Sequence, residues 1–237
     1  MVEVWILLLA AHVFGDFLLQ PDGVAKNKRK IGRLALHLAI HGAIAYLVLQ
    51  QRGWWLIIPC VMLAHGIIDF VKARLPASPT AFAADQAAHL LSLLGIAWLA
   101  NHEGLGLDHE AFILPPAWII LGAGFCACVW GVGYFIASIA NQIHAKNPDL
   151  EKAIGQGLAN GGASIGKLER TLIFILIVIG QPAGIGFLVA TKSILRFEEA
   201  KKQSVAEYIL IGTLWSFSLA IAISTASLAL TNRFQTP

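Results

Sequence analysis

The chain has 237 residues, 57% of them hydrophobic and only 13% charged, with a mean hydropathy of +0.70 and a net charge of +3. A soluble domain carries about 25% charged residues, so a soluble globular enzyme, a disordered chain and a nucleic-acid binder are all poor fits. A membrane helix needs about 20 apolar residues, and the sequence offers six or seven such runs, which predicts an all-α, polytopic integral membrane bundle.

In chain order the predicted apolar helices cover residues 2–19, 34–49, 54–71, 81–100, 112–140, 172–190 and 205–230. The first follows Glu3 rather than a basic run and contains His12 and Asp16, so it does not read as a cleavable signal. Residues 101–110 form a polar, acidic loop. Residues 141–170 form a longer Gly-rich loop, with a short surface helix expected near 148–154. The sixth run contains Gly180, Pro182, Gly184 and Gly186, which either break it into a re-entrant hairpin or kink a spanning helix. Three parts follow: a four-helix bundle over 1–100, an external loop and long helix over 101–140, and a cytoplasmic loop with a membrane hairpin and last helix over 141–237. Cys60, Cys126 and Cys128 all lie in apolar runs at no disulfide or zinc-finger spacing, and read as small core residues.

Basic residues set the orientation. The first loop carries Lys26, Lys28, Arg29, Lys30 and Arg33, the second only Arg52, the third Lys72 and Arg74, and the fourth none. Seven against one places the first and third loops in the cytoplasm and the N-terminus outside. Trp5, Trp54, Trp55, Trp98 and Trp118 fall at the ends this assigns to the outer interface. Strict alternation would put Lys192, Arg196, Lys201 and Lys202 outside, and a hairpin in the sixth run removes that conflict.

Ionisable residues inside apolar helices are costly and point to function. The first four helices hold eight of them in four pairs of one spacing: His12/Asp16, His37/His41, His65/Asp69 and Asp85/His89. Residues at i and i+4 share a helix face, about 5–6 Å apart at Cβ, so each helix offers two ligands to one centre. All four pairs lie within about two turns of the predicted cytoplasmic end, roughly 10 Å of depth. A metal site explains this pattern better than a proton or ion relay, or hydrogen-bonded struts. Imidazole with carboxylate suits zinc, iron or manganese. Three aspartates against two divalent ions and a bridging hydroxide balance in charge, which favours two ions.

Neighbouring residues extend the site. Gln20 follows Asp16 by four, Gln86 adjoins Asp85, and Lys72 follows the third helix, where it joins a basic rim. The rim is first a positive-inside signal; its functional share would be attraction of an anionic lipid or phosphate. Lys192 and Arg196, with Lys167, Glu169, Arg170 and Glu207 nearby, form a weaker cluster that is either interfacial or a pocket for a substrate anion. His102, His109 and His144 read as surface residues.

The stretches LLAAHVFGDFLLQPD, LHLAIH, AHGIIDFVKARL and FAADQAAHLL resemble a bacterial membrane-protein family catalogued as domain of unknown function 3307. The later IGKLERTLIFILIVIGQPAGIGFLVATKSILRF and AEYILIGTLWSF are similar to a C-terminal extension of its members. The resemblance implies a multi-pass protein of the bacterial inner membrane, with His12, Asp16, Gln20, His37, His41, His65, Asp69, Lys72, Asp85, Gln86 and His89 at motif positions. It implies no activity. On the ligand argument the expected function is metal-assisted hydrolysis of a phosphate or ester in an amphiphilic substrate, with Asp16, Asp69 and Asp85 catalytic and Gln20, Lys72, Gln86, Lys192 and Arg196 on the substrate. The alternative is a divalent-cation or proton transporter using the same residues.

Overall fold

The structure, a computed structural model, describes residues 1–20, 31–51, 54–150, 161–195 and 203–234. Among them there is no strand. The helices are α1 (Val2–Val13), α2 (Ile31–Leu49), α3 (Ile57–Lys72), α4 (Pro79–His102), α5 (Pro116–Cys126), α6 (Val132–Lys146), α7 (Gly161–Val178), α8 (Ala183–Leu195) and α9 (Gln203–Asn232). Five-residue π turns follow α1 (Phe14–Leu18) and α5 (Ala127–Gly131). The chain divides into two compact units, Met1–Cys126 with Ala229–Pro237, and Ala127–Leu228.

In the first unit α1 packs on α2 and α4, α2 on α3, and α3 on α4, so four helices close a ring, with α5 against α1. Short connectors make neighbours antiparallel. Ser78 sets one of these reversals: its hydroxyl accepts the Ala81 N–H at 3.0 Å and Pro79 opens the first turn of α4. One end of the ring therefore gathers the end of α1, the start of α2, the end of α3 and the start of α4. The other end is joined by neutral amides. Gln51 and Asp108 exchange two bonds of 3.1 Å, and Gln50 Oε1 accepts the Ile113 N–H at 2.7 Å.

The packing is inverted relative to a water-soluble bundle. On α3, His65 and Asp69 are buried while Leu63, Ile67, Phe70 and Val71 are exposed. On α4, Asp85 and His89 are buried, followed inward by Leu93, Ile96, Ala97 and Ala100, while Leu91 and Trp98 face out. Leaving a large apolar side chain in water forgoes about 1.5–3 kcal/mol, so such an exterior calls for lipid. Among the described residues four helices are long and apolar enough to cross a bilayer: Ile31–Leu49, Pro79–His102, Pro116–Lys146 and Gln203–Asn232. The other expected runs form shorter helices; α1, α3 and α8 have 12, 16 and 13 residues. Trp55, Trp98 and Trp118 are exposed as interfacial residues would be, whereas Trp54 is buried.

In the second unit the expected sixth run is two helices. Gly180 turns the chain with φ 71°, a conformation open to glycine, and α8 folds back on α7. Gly184 lies against the Leu176 side chain, and Lys192 Nζ donates to Glu169 Oε2 at 2.8 Å, so the hairpin is tied at both depths. α7 also begins at Gly161, which makes the last ten residues of the expected loop 141–170 helical. Residues 148–150 are helical where a short surface helix is expected, and the rest of that segment lies outside the described residues.

Candidate metal centre

Each helix of the ring brings one pair of ionisable residues to the shared end. Asp16 arrives differently from the others, because it sits on the π turn that follows α1, where Leu19 N–H bonds Phe14 O at 2.9 Å. π turns are uncommon and frequent at functional sites. Gly15 makes this turn possible beside α2: a Cβ there would lie 2.5 Å from His41 Nε2 and 2.8 Å from His41 Nδ1.

All eight side chains are buried and converge. Asp16 Oδ1 lies 3.2 Å from His37 Nε2, 3.3 Å from His41 Nε2 and 3.5 Å from His65 Nε2. His37 Nε2 and His65 Nε2 are 3.1 Å apart, and Asp69 Oδ2 is 3.2 Å from the first and 3.5 Å from the second. His12 Nε2 approaches Asp16 Oδ2 at 3.7 Å. His89 Nε2 stands 3.6 Å from Asp85 Oδ1 and 4.0 Å from Asp69 Oδ1. The rings stack as well, His41 on His65 with centroids 3.7 Å apart and His65 on His89 at 4.2 Å.

These distances bear on chemistry. An imidazole Nε2 offers one hydrogen or one lone pair, yet His37 Nε2 has four polar atoms within 3.3 Å: Gln20 Nε2, His65 Nε2, Asp16 Oδ1 and Asp69 Oδ2. Hydrogen bonding cannot account for all four. A coordination shell accounts for the imidazole and carboxylate atoms among them, since ligands about 2.0–2.2 Å from a zinc-like ion stand roughly 3.4 Å from one another, and Gln20 Nε2 is left as a hydrogen-bond donor. Two further buried atoms, His89 Nε2 and Asp85 Oδ1, make no hydrogen bond among the described residues. Three overlapping sets can hold an ion: Asp16, His37, His41 and His65; His12, His65 and His89; Asp69, Asp85 and His89. The donor set, imidazole and carboxylate without thiolate, fits a divalent transition metal.

Lys72 enters the cluster itself. It forms an ion pair with Asp85, with its side chain 32% exposed, and its Nζ lies over the Phe82 ring, 5.4 Å from the centroid. Gln86 Nε2 donates to the same Asp85 oxygen at 3.0 Å. Gln20, Lys72 and Gln86 thus stand where the cluster meets the surface. The sequence reading placed Lys72 in the basic rim and on the substrate; its ion pair with Asp85, thirteen residues away on the next helix, was not foreseen. Gly15 escaped notice because its role is empty space.

The other expected site residues lie elsewhere. Lys192 is in the second unit, paired with Glu169, and Glu207 accepts instead from Gln203 at 2.9 Å. Arg196, Lys201, Lys202 and the rim residues Lys26, Lys28, Arg29 and Lys30 lie outside the described residues. His102 and His109 are exposed, next to Glu103 and Glu3. His144 is half-buried against Tyr208 rather than on the surface.

Replacing Gly15 by alanine should cost about 1–3 kcal/mol, the usual penalty for overfilling a packed site, and should weaken metal binding by moving His41. Thermal unfolding with and without chelator reads both effects; unchanged midpoints in both would show that the close approach is not needed.

No curated protein and no solved structure matches the chain. Over residues 4–112, the segment that carries the eight histidines and aspartates of the cluster, the chain matches the model of a family described only as protein of unknown function (DUF3307).

Proposed function

We propose that the first unit is a membrane-embedded, metal-dependent hydrolase acting on a phosphate or ester bond of an amphiphilic substrate. The observation that carries this reading is the crowding of His37 Nε2 by four polar atoms within 3.3 Å in a buried cluster. Asp16, His37, His41 and His65 hold the ion, and Asp69 supports His37 and His65. Asp85 is partly neutralised by Lys72. A bound divalent ion supplies Lewis acidity and an activated water. Asp16, Asp69 and Asp85 accept and return protons around it. Lys72, Gln20 and Gln86 supply N–H donors at the mouth of the cluster, where an anionic substrate group would arrive.

Lys72 alters the charge balance that favoured two ions. Three aspartates carry −3 and Lys72 returns +1, leaving −2, which one divalent ion cancels. The basic loops support a site near the cytoplasmic face of a bacterial inner membrane, with the N-terminus outside. α1 with its π turn and α3 then also cross, because they complete a ring with two helices of spanning length.

A cation or proton transporter would need polar groups through the whole bundle. Beyond the cluster the described interior includes Ile6, Leu7, Ala45, Val48, Ala97 and Ala100, with buried Gln51 at the far end bonded to the Asp108 backbone, which favours chemistry over transit. Two assays on the purified full chain decide the matter. Elemental analysis should find a divalent metal at about one per chain, and metal-loaded protein should release phosphate or acid from short-chain phospholipid in mixed micelles. A protein with no metal after supplementation sinks the metal reading. Cluster-dependent metal or proton flux in proteoliposomes without hydrolysis replaces the enzyme by the transporter.

A further inference from the structure

The second unit holds a cavity of about 520 Å³ that the metal reading does not use. Its charged lining residues are Lys167, Glu169, Arg170 and Lys192. Arg170 is buried in α7, where a charge is costly, and it is held in place by chain geometry. Its Nε and Nη2 donate to Val129 O at 3.1 and 2.8 Å, and its Nη1 donates to Ser216 Oγ at 3.3 Å. Val129 lies in the π turn Ala127–Gly131. Gly133 and Gly166 leave room for the guanidinium: a Cβ on either would lie 2.8 Å from Nη2 or 3.0 Å from Nη1. Three of the five guanidinium N–H groups are engaged by these bonds.

Among the described residues the charge in the cavity is not balanced. Lys192 bonds Glu169 at 2.8 Å, which cancels one pair. Arg170 and Lys167 remain, and the described lining contains no other carboxylate. A net charge of +2 beside a buried guanidinium matches a phosphate group, whose oxygens suit the planar fork of arginine. Most of the rest of the wall is apolar or aromatic, including Trp130, Tyr134 and Ile165, with Asn141, Thr213 and Ser216 as its polar members, which suits an acyl chain rather than a free ion.

We infer that this cavity binds the phosphate headgroup of an anionic lipid, with Arg170 and Lys167 on the phosphate and the apolar wall along the chain. The inference is independent of the metal centre, which lies in the first unit and shares no residue with it.

The test uses the full-length protein in a neutral detergent, stripped of lipid. Short-chain phosphatidic acid, short-chain phosphatidylcholine and inorganic phosphate are titrated while the unfolding midpoint is followed. Phosphatidic acid should raise the midpoint at much lower concentration than the other two. Lys167→Gln should weaken it about tenfold or more, the effect of losing one charged hydrogen bond. Gly212→Leu provides a variant that keeps the charges: Gly212 lines the cavity, a Cβ there meets nothing within 4 Å, and leucine suits a helix better than glycine. It should fill the cavity and abolish the shift. Inorganic phosphate acting as well as phosphatidic acid would support the phosphate site and assign it to the free ion. Equal shifts with phosphatidylcholine, or full binding by both variants, would overturn the proposal.

Discussion

Asp16→Asn is expected to bind divalent metal at least about 100-fold more weakly than the native chain while folding normally. The lower bound comes from residues that only orient ligands, whose loss costs 10–100-fold; Asp16 is argued to be a ligand. Its Oδ1 faces three imidazole nitrogens at 3.2–3.5 Å, more than any other carboxylate oxygen in the cluster. Asparagine keeps the shape and removes the charge that draws a cation into an apolar interior. Without metal, the same change relieves repulsion among three buried aspartates, so the midpoint in chelator should hold or rise. The increment that metal adds should vanish, since stabilisation by a ligand follows its affinity. Asp85→Asn is the comparison: Lys72 already neutralises Asp85, so its loss should weaken binding less. Competition with a chromogenic chelator measures the affinities. Full occupancy in Asp16→Asn would remove Asp16 from the ligand set.

Lys72→Met should produce the opposite pattern. Methionine keeps much of the apolar stem but leaves Asp85 buried without its cation. Breaking a fully buried pair costs about 3–5 kcal/mol; Lys72 is one-third exposed, so a loss of about 1–3 kcal/mol is expected in chelator. The cluster now carries −3, and the set Asp69, Asp85 and His89 is released to take an ion of its own. The metal content should rise from one ion toward two, and metal should stabilise the variant more than the native chain. Two ions in the native protein, with Lys72 in place, would defeat the charge argument.

The cluster was legible because two periodicities agree. The i,i+4 spacing put each pair on one face, and the alternation of helix direction put the four faces at one depth. His37, His41, His65, Asp69, Asp85 and His89 needed nothing more. The π turn was not legible, since an i→i+5 bond leaves no mark in the order Phe14-Gly15-Asp16. It is selected by how α1 meets His41 on α2. The role of Lys72 was masked by a simpler cause of basic residues at helix ends. The break at Gly180 was visible as composition, but its outcome depended on Glu169 and Lys192, 23 residues apart. The length of each helix was not legible, because apolar composition does not fix where a helix ends: α1 and α3 have 12 and 16 residues.

The π turn has a consequence for the length of the chain. A π turn holds an additional residue within one turn of an otherwise α-helical segment. Deleting a single residue between His12 and Asp16 would let the segment relax to α geometry and shorten the spacing of these two from i,i+4 to i,i+3, which turns one side chain by about 100° relative to the other. His12 or Asp16 would then leave the cluster. Leu18, about half exposed, can exchange for another apolar side chain without that effect. The number of residues in this interval is therefore as much a part of the site as the aspartate it carries: the segment can drift in composition but not in count.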